Sequence, residues 1–240
     1  MPYKDKRIAV IMPAYNAAKT LVACYEAIPK DWADVVILVD DASSDNTVDE
    51  ARSLPIVVVR HDQNLGYGGN QKTCYKTAIK YGADVVVMVH PDHQYDPSFI
   101  PEMIRLIVDE GVAAVFGSRM MTPGGALAGG MPKWKYFVNI LLTKIGNFVL
   151  GTRLTELHSG FRAYRTDIFR EIDIERNSDS FVFDTQIIIQ LVAHKIGIWE
   201  IPITTRYFKE SSQVGFSQGI PYGLGILWSL FLYKTGLRKF

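Results

Sequence analysis

Strand signals and helix signals alternate along the first half of this 240-residue chain. Short apolar runs rich in β-branched residues predict the strands Ile8–Met12, Val35–Val39, Ile56–Val59, Asp84–Val89 and Ala113–Phe116. The segments between them predict helices near 17–28, 45–53, 69–81 and 98–110. Strands that alternate with helices of this length build parallel sheets with right-handed crossover connections. The sequence therefore predicts an α/β fold with a mostly parallel central sheet flanked by helices.

The alternation ends after Arg119. Residues 120–135 contain two Gly-Gly pairs and two prolines, which predicts a mobile loop. An apolar helix near 136–150, the segment Thr155–Tyr164, a helix near 180–195 and a strand at Gly197–Thr204 are expected to follow. Since 48% of the residues are hydrophobic, the chain can bury a substantial core, and residues 1–240 are predicted to form one domain.

Charge and cysteine content restrict the kind of partner. The chain has 26 basic and 25 acidic residues, so we expect no nucleic-acid partner. Cys24 and Cys74 lack the spacing of metal ligands, and reduced thiols in a cytoplasmic protein are the expected state. The first seven residues run directly into a strand, which leaves no room for a signal peptide.

The segment from Ser211 to Tyr233 has no charged side chain. Glycines and Pro221 interrupt its first half, so a membrane-spanning helix is not expected. Residues 224–240 can form a helix that lies in a membrane interface, because basic residues follow its apolar part. A C-terminal helix packed on the core is the alternative, and the sequence leaves both open.

Three potential metal ligands follow the predicted strand Asp84–Val89. His90, Asp92 and Gln94 alternate with other residues, so an extended chain would point all three side chains the same way. Ligands of open α/β sheets bind outside the carboxyl ends of the strands, where this cluster is predicted to lie. Its donors can hold a divalent ion and leave positions for phosphate oxygens. Taken alone, the cluster is equally compatible with a polar loop that binds no metal.

Polar turns follow the other predicted strands as well. The first strand ends in the turn Pro13-Ala14-Tyr15-Asn16. The ring of Tyr15 can form a wall for a flat base, and Asn16 is expected to cap the next helix. After the second strand come two adjacent carboxylates, Asp40 and Asp41. We expect Asp41 to face the cleft, where it can accept hydrogen bonds from a nucleobase or a ribose hydroxyl.

The third strand leads into a glycine-rich turn, Asn64-Leu65-Gly66-Tyr67-Gly68-Gly69-Asn70. Glycines such as Gly66, placed ahead of a helix, let backbone amides approach phosphate oxygens. The spacing is neither that of a P-loop nor that of a dinucleotide fingerprint. The turn therefore argues against a P-loop NTPase and against a Rossmann dehydrogenase.

In this order the motifs resemble those of glycosyltransferase family 2, whose members use nucleotide-sugar donors. The resemblance continues through Gly117-Ser118-Arg119 and Ser159-Gly160-Phe161-Arg162-Ala163-Tyr164, and so covers most of the chain. Within the family the chain is most similar to the dolichol-phosphate mannosyltransferase branch, which transfers a sugar to a polyprenyl phosphate. The resemblance implies a GT-A-type fold with a nucleotide-binding half at 1–118, an acceptor-side half at 119–210 and an apolar segment at 211–240.

The resemblance also implies a donor site and a metal, either Mn²⁺ or Mg²⁺. Asp92 takes the place of the central carboxylate in the family's D-x-D motif, Gln94 is a further ligand, and His90 stands where an aspartate is usual. An imidazole is acceptable to Mn²⁺, whereas the lost negative charge disfavours Mg²⁺. The residues implied in binding the donor are Pro13, Ala14, Tyr15, Asn16, Asp41, Gly66 and Arg206, the last in a segment similar to one that closes over the diphosphate.

The class of acceptor decides which further residues are needed. The family inverts configuration, and a hydroxyl acceptor would require a general base, for which Asp184 and Glu156 are the candidates. A phosphate acceptor is already an anion and requires cations, and Arg119 and Arg162 fit by motif position. Structural roles remain open for each, and Glu156 can simply pair with a nearby arginine such as Arg153 or Arg162.

Three functional hypotheses follow. The first is transfer to a polyprenyl phosphate by a cytoplasmic protein, with peripheral contact to the cytoplasmic membrane face. The second keeps the donor but uses a saccharide hydroxyl as acceptor. The third is a protein that binds nucleotide sugars without catalysis, since His90 departs from the family's metal motif.

Overall fold

Seven strands form one sheet in the order β3-β2-β1-β4-β6-β5-β7, in a computed structural model that describes residues 3–207 and 216–240. Only β6 runs antiparallel to its neighbours, β4 and β5, and the other pairs are parallel. The strands are β1 Ile8–Ala14, β2 Val35–Asp40, β3 Val57–Arg60, β4 Val85–Met88, β5 Ala114–Ser118, β6 Arg162–Arg165 and β7 Ile198–Pro202.

Eight α-helices flank the sheet in the described part of the chain. They are α1 Leu21–Ala27, α2 Thr47–Arg52, α3 Gly66–Lys80, α4 Ile100–Val108, α5 Gly125–Ala128, α6 Lys133–Leu150, α7 Phe183–Ala193 and α8 Phe216–Thr235. Short 3-10 turns occur at Lys30–Trp32, Pro97–Phe99, Thr166–Arg170 and Ile174–Arg176.

The predicted α/β architecture is confirmed, and the ends of the six predicted strands shift by at most two residues. All residues of β1 and β4 are buried, as expected for central strands with helices on both faces. One core cluster joins the sheet to α3, α6, α7 and α8, and a second joins its other face to α1 and α4. The carboxyl ends of the parallel strands thereby open at one edge of the molecule, where the polar motifs lie.

The second part of the chain completes the same sheet, because β6 and β7 lie beside strands of the first part. The division into segments 1–118, 119–210 and 211–240 stays a prediction. The boundary at residue 210 lies outside the described residues, as does the start of the uncharged segment.

The C-terminal helix differs from the expectation. The helix α8 begins at Phe216 and continues through Pro221, so the predicted interruption is wrong. It buries Ile226 and Leu230 in the core and exposes Leu224 and Trp228, which are 63% and 59% accessible. The alternative of packing on the core is thus observed for one face of α8, and the membrane-interface interpretation of the exposed face stays a prediction. Within the described ranges, none of the helices combines the length and apolar character that crossing a membrane requires.

The helix α6 packs against α8 and is also apolar on its outer side. Exposed apolar residues of α6 are Trp134, Phe137, Val138, Leu141 and Phe148, and those of α8 are Ile220, Leu224, Leu227, Trp228 and Phe231. We call these ten residues the α6–α8 apolar surface. A surface of this kind is unusual for a soluble monomer and indicates an interaction site.

A close contact between α3 and the loop before α7 joins the two parts of the chain. The amide of Gly68 donates to the carbonyl of Asp179 at 2.7 Å, and Lys72 Nζ donates to the Asn177 carbonyl at 2.6 Å. A Cβ atom on Gly68 would lie 2.3 Å from the carbonyl oxygen of Ser178. Glycine is therefore required at this position by backbone packing.

We expect Gly68→Ala to lower the free energy of unfolding by about 1–3 kcal/mol, because the backbone of α3 or of the loop must move. Gly197→Ala is the matched control, since a Cβ there meets nothing within 4 Å. Urea unfolding of both variants measures the difference. A Gly68→Ala protein as stable as Gly197→Ala would contradict the proposed packing.

Candidate active site

A cavity opens beyond the carboxyl ends of β4 and β5, between the sheet and the helices α6 and α8. One wall is polar and includes His90, Asp92, Gln94, Arg119 and Asp184. The lining also includes apolar and aromatic side chains, those of Met131, Trp134, Val138, Leu142, Phe181 and Tyr222. The site thus combines charged and apolar side chains.

The predicted metal ligands line this cavity, although the chain is not extended there. The strand β4 ends at Met88, and His93 adopts a φ of 55°, so a turn carries the three side chains. The argument from alternation along an extended chain was therefore wrong, while the expected grouping of His90, Asp92 and Gln94 in one cavity is observed. The amide of Gln94 donates to Asp92 Oδ1 at 3.0 Å, which closes the turn.

These three side chains fit a divalent ion by their chemistry. Burial lowers the pKa of His90, and the nearby Asp92 only partly opposes this, so the imidazole is neutral and has a lone pair to offer. Asp92 supplies the single negative charge and Gln94 an amide oxygen. Across residues 3–207 and 216–240, no group of three His, Cys, Asp or Glu side chains is arranged to hold a metal. Ligands beyond this set would have to come from a bound substrate.

Arg119, which lines the cavity, forms a buried ion pair with Glu156. Arg119 Nε donates to Glu156 Oε1 at 2.8 Å, its Nη2 also contacts that oxygen, and its backbone amide donates to Oε2 at 2.8 Å. Asn139 donates to the same carboxylate at 2.8 Å. Burial raises the pKa of Glu156, but the charge and hydrogen bonds of Arg119 outweigh this and hold it below the ordinary value.

This geometry argues against Glu156 as a general base. Its side chain is 1% accessible, and both carboxylate oxygens already accept hydrogen bonds. Glu156 does pair with an arginine, as its structural alternative expected, but the partner is Arg119 and neither Arg153 nor Arg162. Arg119 remains at the cavity wall, where it also donates to the hydroxyl of Tyr207 at 2.6 Å.

Arg162 lies in the core, which corrects its expected role as a phosphate ligand. It is fully buried, it does not line the cavity, and its guanidinium donates to the carbonyls of Leu157, Ser159 and Asp184. It also lies 3.4 Å from Asp184 Oδ1. Arg162 therefore supports the polar wall from behind.

Asp184 lines the cavity, but each of its oxygens has a partner. Gln71 donates to Oδ1 at 3.2 Å, and Tyr67 donates to Oδ2 at 2.8 Å. Tyr67 also lies beside His90, with the two rings nearly parallel and their centroids 5.5 Å apart. The sequence arguments missed Tyr67, since the glycines of its motif drew attention to the backbone.

The glycine-rich turn does not present its amides to a ligand. Asp41 Oδ1 accepts from the amide of Leu65 at 2.8 Å and contacts His61 Nδ1 at 2.7 Å, while Oδ2 accepts from the amide of Gly66 at 3.0 Å. Asp41 thus faces the start of α3, and the expected orientation toward the cleft was wrong. Gly66 is required instead by close packing, because a Cβ there would lie 2.6 Å from the carbonyl oxygen of Asp179.

The turn after β1 contacts the turn after β2. Pro13 and Ala14 are buried within β1, whereas Tyr15 is 56% accessible. Asn16 does not cap α1, whose N-cap is Thr20. It adopts a φ of 51°, and its Oδ1 accepts from the amide of Ser44 at 2.9 Å. Within this turn, the exposed ring of Tyr15 is therefore the side chain that can contact a flat base.

Arg206 is exposed and does not line the cavity. Its backbone amide donates to the Gln94 carbonyl at 3.0 Å, which holds this segment beside the metal-ligand turn. Other lining residues that the sequence arguments did not identify are Lys135, His158, Tyr207 and Tyr222. They come from separate segments and carry no local motif, so only their tertiary positions reveal them.

Glu156→Gln is expected to lower the free energy of unfolding at pH 7 by about 3–5 kcal/mol, because Arg119 loses its buried counter-charge. The pKa of Glu156 is depressed on folding, so its stabilisation is complete above the ordinary carboxyl pKa and is lost as pH falls through the folded-state value. The difference between wild type and variant should therefore shrink in acid, as measured by urea unfolding at several pH values.

Glu200→Gln is the control, because burial raises the pKa of the neighbouring Glu200 carboxyl. Its difference from wild type should change with pH in the opposite direction. A parallel pH dependence of the two variants would contradict the assigned ion pair.

The geometry agrees with comparisons to known proteins. The model of glycosyl transferase family 2 matches residues 9–173. An undecaprenyl-phosphate mannosyltransferase of Micrococcus luteus is 30% identical over 97% of this chain and 98% of its own. A UDP-N-acetylglucosamine–dolichyl-phosphate N-acetylglucosaminyltransferase of Methanococcus voltae is 28% identical, with the same coverage of 97% and 98%.

A solved structure shows the same fold. Glucosyl-3-phosphoglycerate synthase of Mycobacterium tuberculosis, in complex with Mn²⁺, uridine diphosphate and phosphoglyceric acid, superposes with a TM-score of 0.75 at 17% identity. The match covers 96% of this chain and 79% of that one. The expected GT-A-type fold is thereby confirmed. The chain belongs to glycosyl transferase family 2, in its dolichol-phosphate mannosyltransferase-like branch, and is a glycosyltransferase.

Proposed function

We propose that this glycosyltransferase transfers a hexose from a nucleoside-diphosphate sugar to a polyprenyl phosphate, with inversion at the anomeric carbon. The observation that carries the proposal is the mixed lining of the cavity, which combines Arg119 with apolar side chains such as Val138 and Leu142. A polyprenyl phosphate likewise combines an anionic group with a hydrocarbon chain. The relatives that act on undecaprenyl phosphate and dolichyl phosphate, as their names state, support this acceptor.

Among the residues that the structure describes, both candidate bases are already engaged, which also favours an anionic acceptor. Glu156 is neutralised by Arg119, and both oxygens of Asp184 accept hydrogen bonds. A saccharide hydroxyl would have to lose a proton during attack, whereas a phosphate oxygen attacks without this step. Arg119 would orient the phosphate by charge-assisted hydrogen bonds, with the phosphate replacing the Tyr207 hydroxyl as its acceptor. Lys135 also lines the cavity, and burial together with the charge of Arg119 lowers the pKa of Lys135.

On the donor side, His90, Asp92 and Gln94 would hold a divalent ion, either Mn²⁺ or Mg²⁺. When bound, such an ion neutralises charge on the diphosphate leaving group. Structures of the mycobacterial neighbour with Mn²⁺ or Mg²⁺ and uridine diphosphate support this assignment. The exposed ring of Tyr15 would stack on the nucleobase.

The remaining donor-site residues keep assigned roles. Pro13, Ala14 and Asn16 shape the turn that carries Tyr15, and Asp41 with Gly66 fixes the neighbouring glycine-rich turn. Arg206, held beside Gln94 by its backbone, would close over the diphosphate and exclude water.

The α6–α8 apolar surface would contact the lipid chain of an acceptor that is bound in the cavity. Trp134 and Val138 belong both to this surface and to the cavity wall, so a chain leaving the cavity reaches the surface directly. Lys234, Arg238 and Lys239 follow near the end of α8, where they would contact anionic headgroups. We therefore propose that the protein works at the cytoplasmic membrane face.

Asp92→Asn should reduce transfer more than about 100-fold, because it removes the single negative charge among the three ligands while keeping the side-chain shape. Purified protein is assayed with a panel of nucleoside-diphosphate sugars, polyprenyl phosphate and Mn²⁺. Asp96→Asn is the control, since Asp96 caps the turn Pro97–Phe99 through the Ser98 amide at 2.9 Å and lies outside the cavity.

Polyprenol without its phosphate tests the acceptor class in the same assay. No product is expected, because the cations at the cavity have nothing to bind. Transfer to polyprenol or to a saccharide hydroxyl, but not to the phosphate, would contradict the proposed acceptor. Turnover by Asp92→Asn close to that of wild type would contradict the metal site.

The double substitution Trp228→Ser, Phe231→Ser is expected to weaken co-sedimentation with anionic liposomes more than about tenfold, since each buried aromatic contributes about 1.5–3 kcal/mol. The two exposed rings stack with centroids 5.4 Å apart on α8. Trp199→Ser is the matched control, because Trp199 is 55% accessible on β7. Equal losses in both proteins, or no wild-type binding at low salt, would contradict the membrane surface.

A further inference from the structure

Three side chains at the polar wall form a short hydrogen-bonded chain. The hydroxyl of Tyr67 lies 2.8 Å from Asp184 Oδ2 and 3.3 Å from His90 Nε2. The ring of Tyr67 is inclined by only 3° to that of His90, and Phe181 covers it at a centroid distance of 4.7 Å. The hydroxyl therefore stands between a carboxylate and an imidazole.

The number of protons in this chain determines the direction of each hydrogen bond. Asp184 pairs with Arg162 and, as a carboxylate, can only accept. The single proton of Tyr67 therefore points to Asp184. With that proton engaged, the hydroxyl oxygen can only accept from His90 Nε2, 3.3 Å away. His90 therefore donates to Tyr67, and its Nε2 carries the ring proton.

The backbone reserves space for this arrangement. A Cβ atom on Gly160 would lie 2.6 Å from His90 Nε2 and 3.2 Å from the Tyr67 hydroxyl oxygen. Gly160 thus leaves room for the imidazole and the hydroxyl to meet in the cavity lining. Any other residue at position 160 would push them apart.

We propose that Tyr67 is a positioning residue that fixes His90 as the Nε2–H tautomer, so that Nδ1 is the nitrogen with the lone pair for a divalent ion. The inference rests on the proposed metal-dependent function and identifies the ligating atom and the residue that selects it. A hydrogen bond to the second nitrogen of a metal-ligating histidine fixes its tautomer and ring orientation. Here a tyrosine oxygen, itself held by a carboxylate, supplies that bond.

Two substitutions change the tautomer in different ways. Tyr67→Phe keeps the stacked ring but removes the acceptor, so His90 should become a mixture of tautomers. Asp184→Asn should invert the tautomer, because Gln71 and Arg162 both face Oδ1 and require an oxygen there. The new amide nitrogen would then donate to Tyr67, and the hydroxyl proton would turn to His90 Nε2.

The test is ¹⁵N NMR of the full-length protein labelled at its five histidines, without metal. The His90 signals are identified by their loss in His90→Gln. We expect Nε2 protonated in wild type, averaged shifts in Tyr67→Phe and Nδ1 protonated in Asp184→Asn. Tyr75→Phe is the control, because Tyr75 lies on the same helix and its hydroxyl contacts Gln71 at 3.4 Å. Should Asp184→Asn fail to fold, Tyr67→Phe alone decides.

Binding of Mn²⁺ alone, followed by electron paramagnetic resonance, tests the consequence for the metal. Tyr67→Phe should bind Mn²⁺ roughly tenfold more weakly than wild type, and Tyr75→Phe should bind it equally well. A wild-type Nδ1–H tautomer, or a tautomer unchanged by Tyr67→Phe, overturns the inference. Suppose that wild type transfers sugar and that Tyr67→Phe changes the tautomer but binds Mn²⁺ as tightly as wild type. This result overturns the ligand role of Nδ1 and leaves the proposed function standing.

Discussion

The buried ion pair of Arg119 and Glu156 is the interaction on which the arrangement of the cavity depends. The carboxylate also accepts from Asn139 of α6, and the guanidinium contacts Tyr207 and the His158 carbonyl. One pair thereby connects the end of β5 to a helix and two loops. A charge buried without its partner is strongly destabilising, so these segments are held in one arrangement.

A second buried pair, Arg162 with Asp184, supports the part of the cavity that Tyr67 lines. Arg162 donates to three backbone carbonyls of the chain around β6 and α7, and Asp184 accepts a hydrogen bond from the Tyr67 hydroxyl. The two carboxylates that sequence motifs nominated as bases are thus engaged with arginines. This arrangement suits an enzyme whose acceptor arrives as an anion, because nothing at the site then needs to remove a proton.

The first half of the sheet and the grouping of His90, Asp92 and Gln94 were predictable from the sequence. Short β-branched runs such as Val85–Met88 favour buried strands, and parallel strands bring their carboxyl ends to one edge. The orientation of single side chains was less predictable. The segment around His93 was expected to be extended, but His93 has a positive φ and the segment forms a turn. Asp41 was expected to face the cleft, but it accepts hydrogen bonds from the amides of Leu65 and Gly66, which have no partner within the helix α3.

What the sequence determined by itself was the α/β architecture, the order of the motifs and the residue types available for chemistry, because these follow from local periodicity and composition. Tertiary structure alone decided which charges neutralise one another. Glu156 pairs with Arg119, which is 37 positions away in the sequence, and Tyr67 bonds to Asp184, which is 117 positions away. Such pairs depend on burial in a shared low-dielectric interior, where an unpaired charge is costly, and local sequence does not encode which partner will be present.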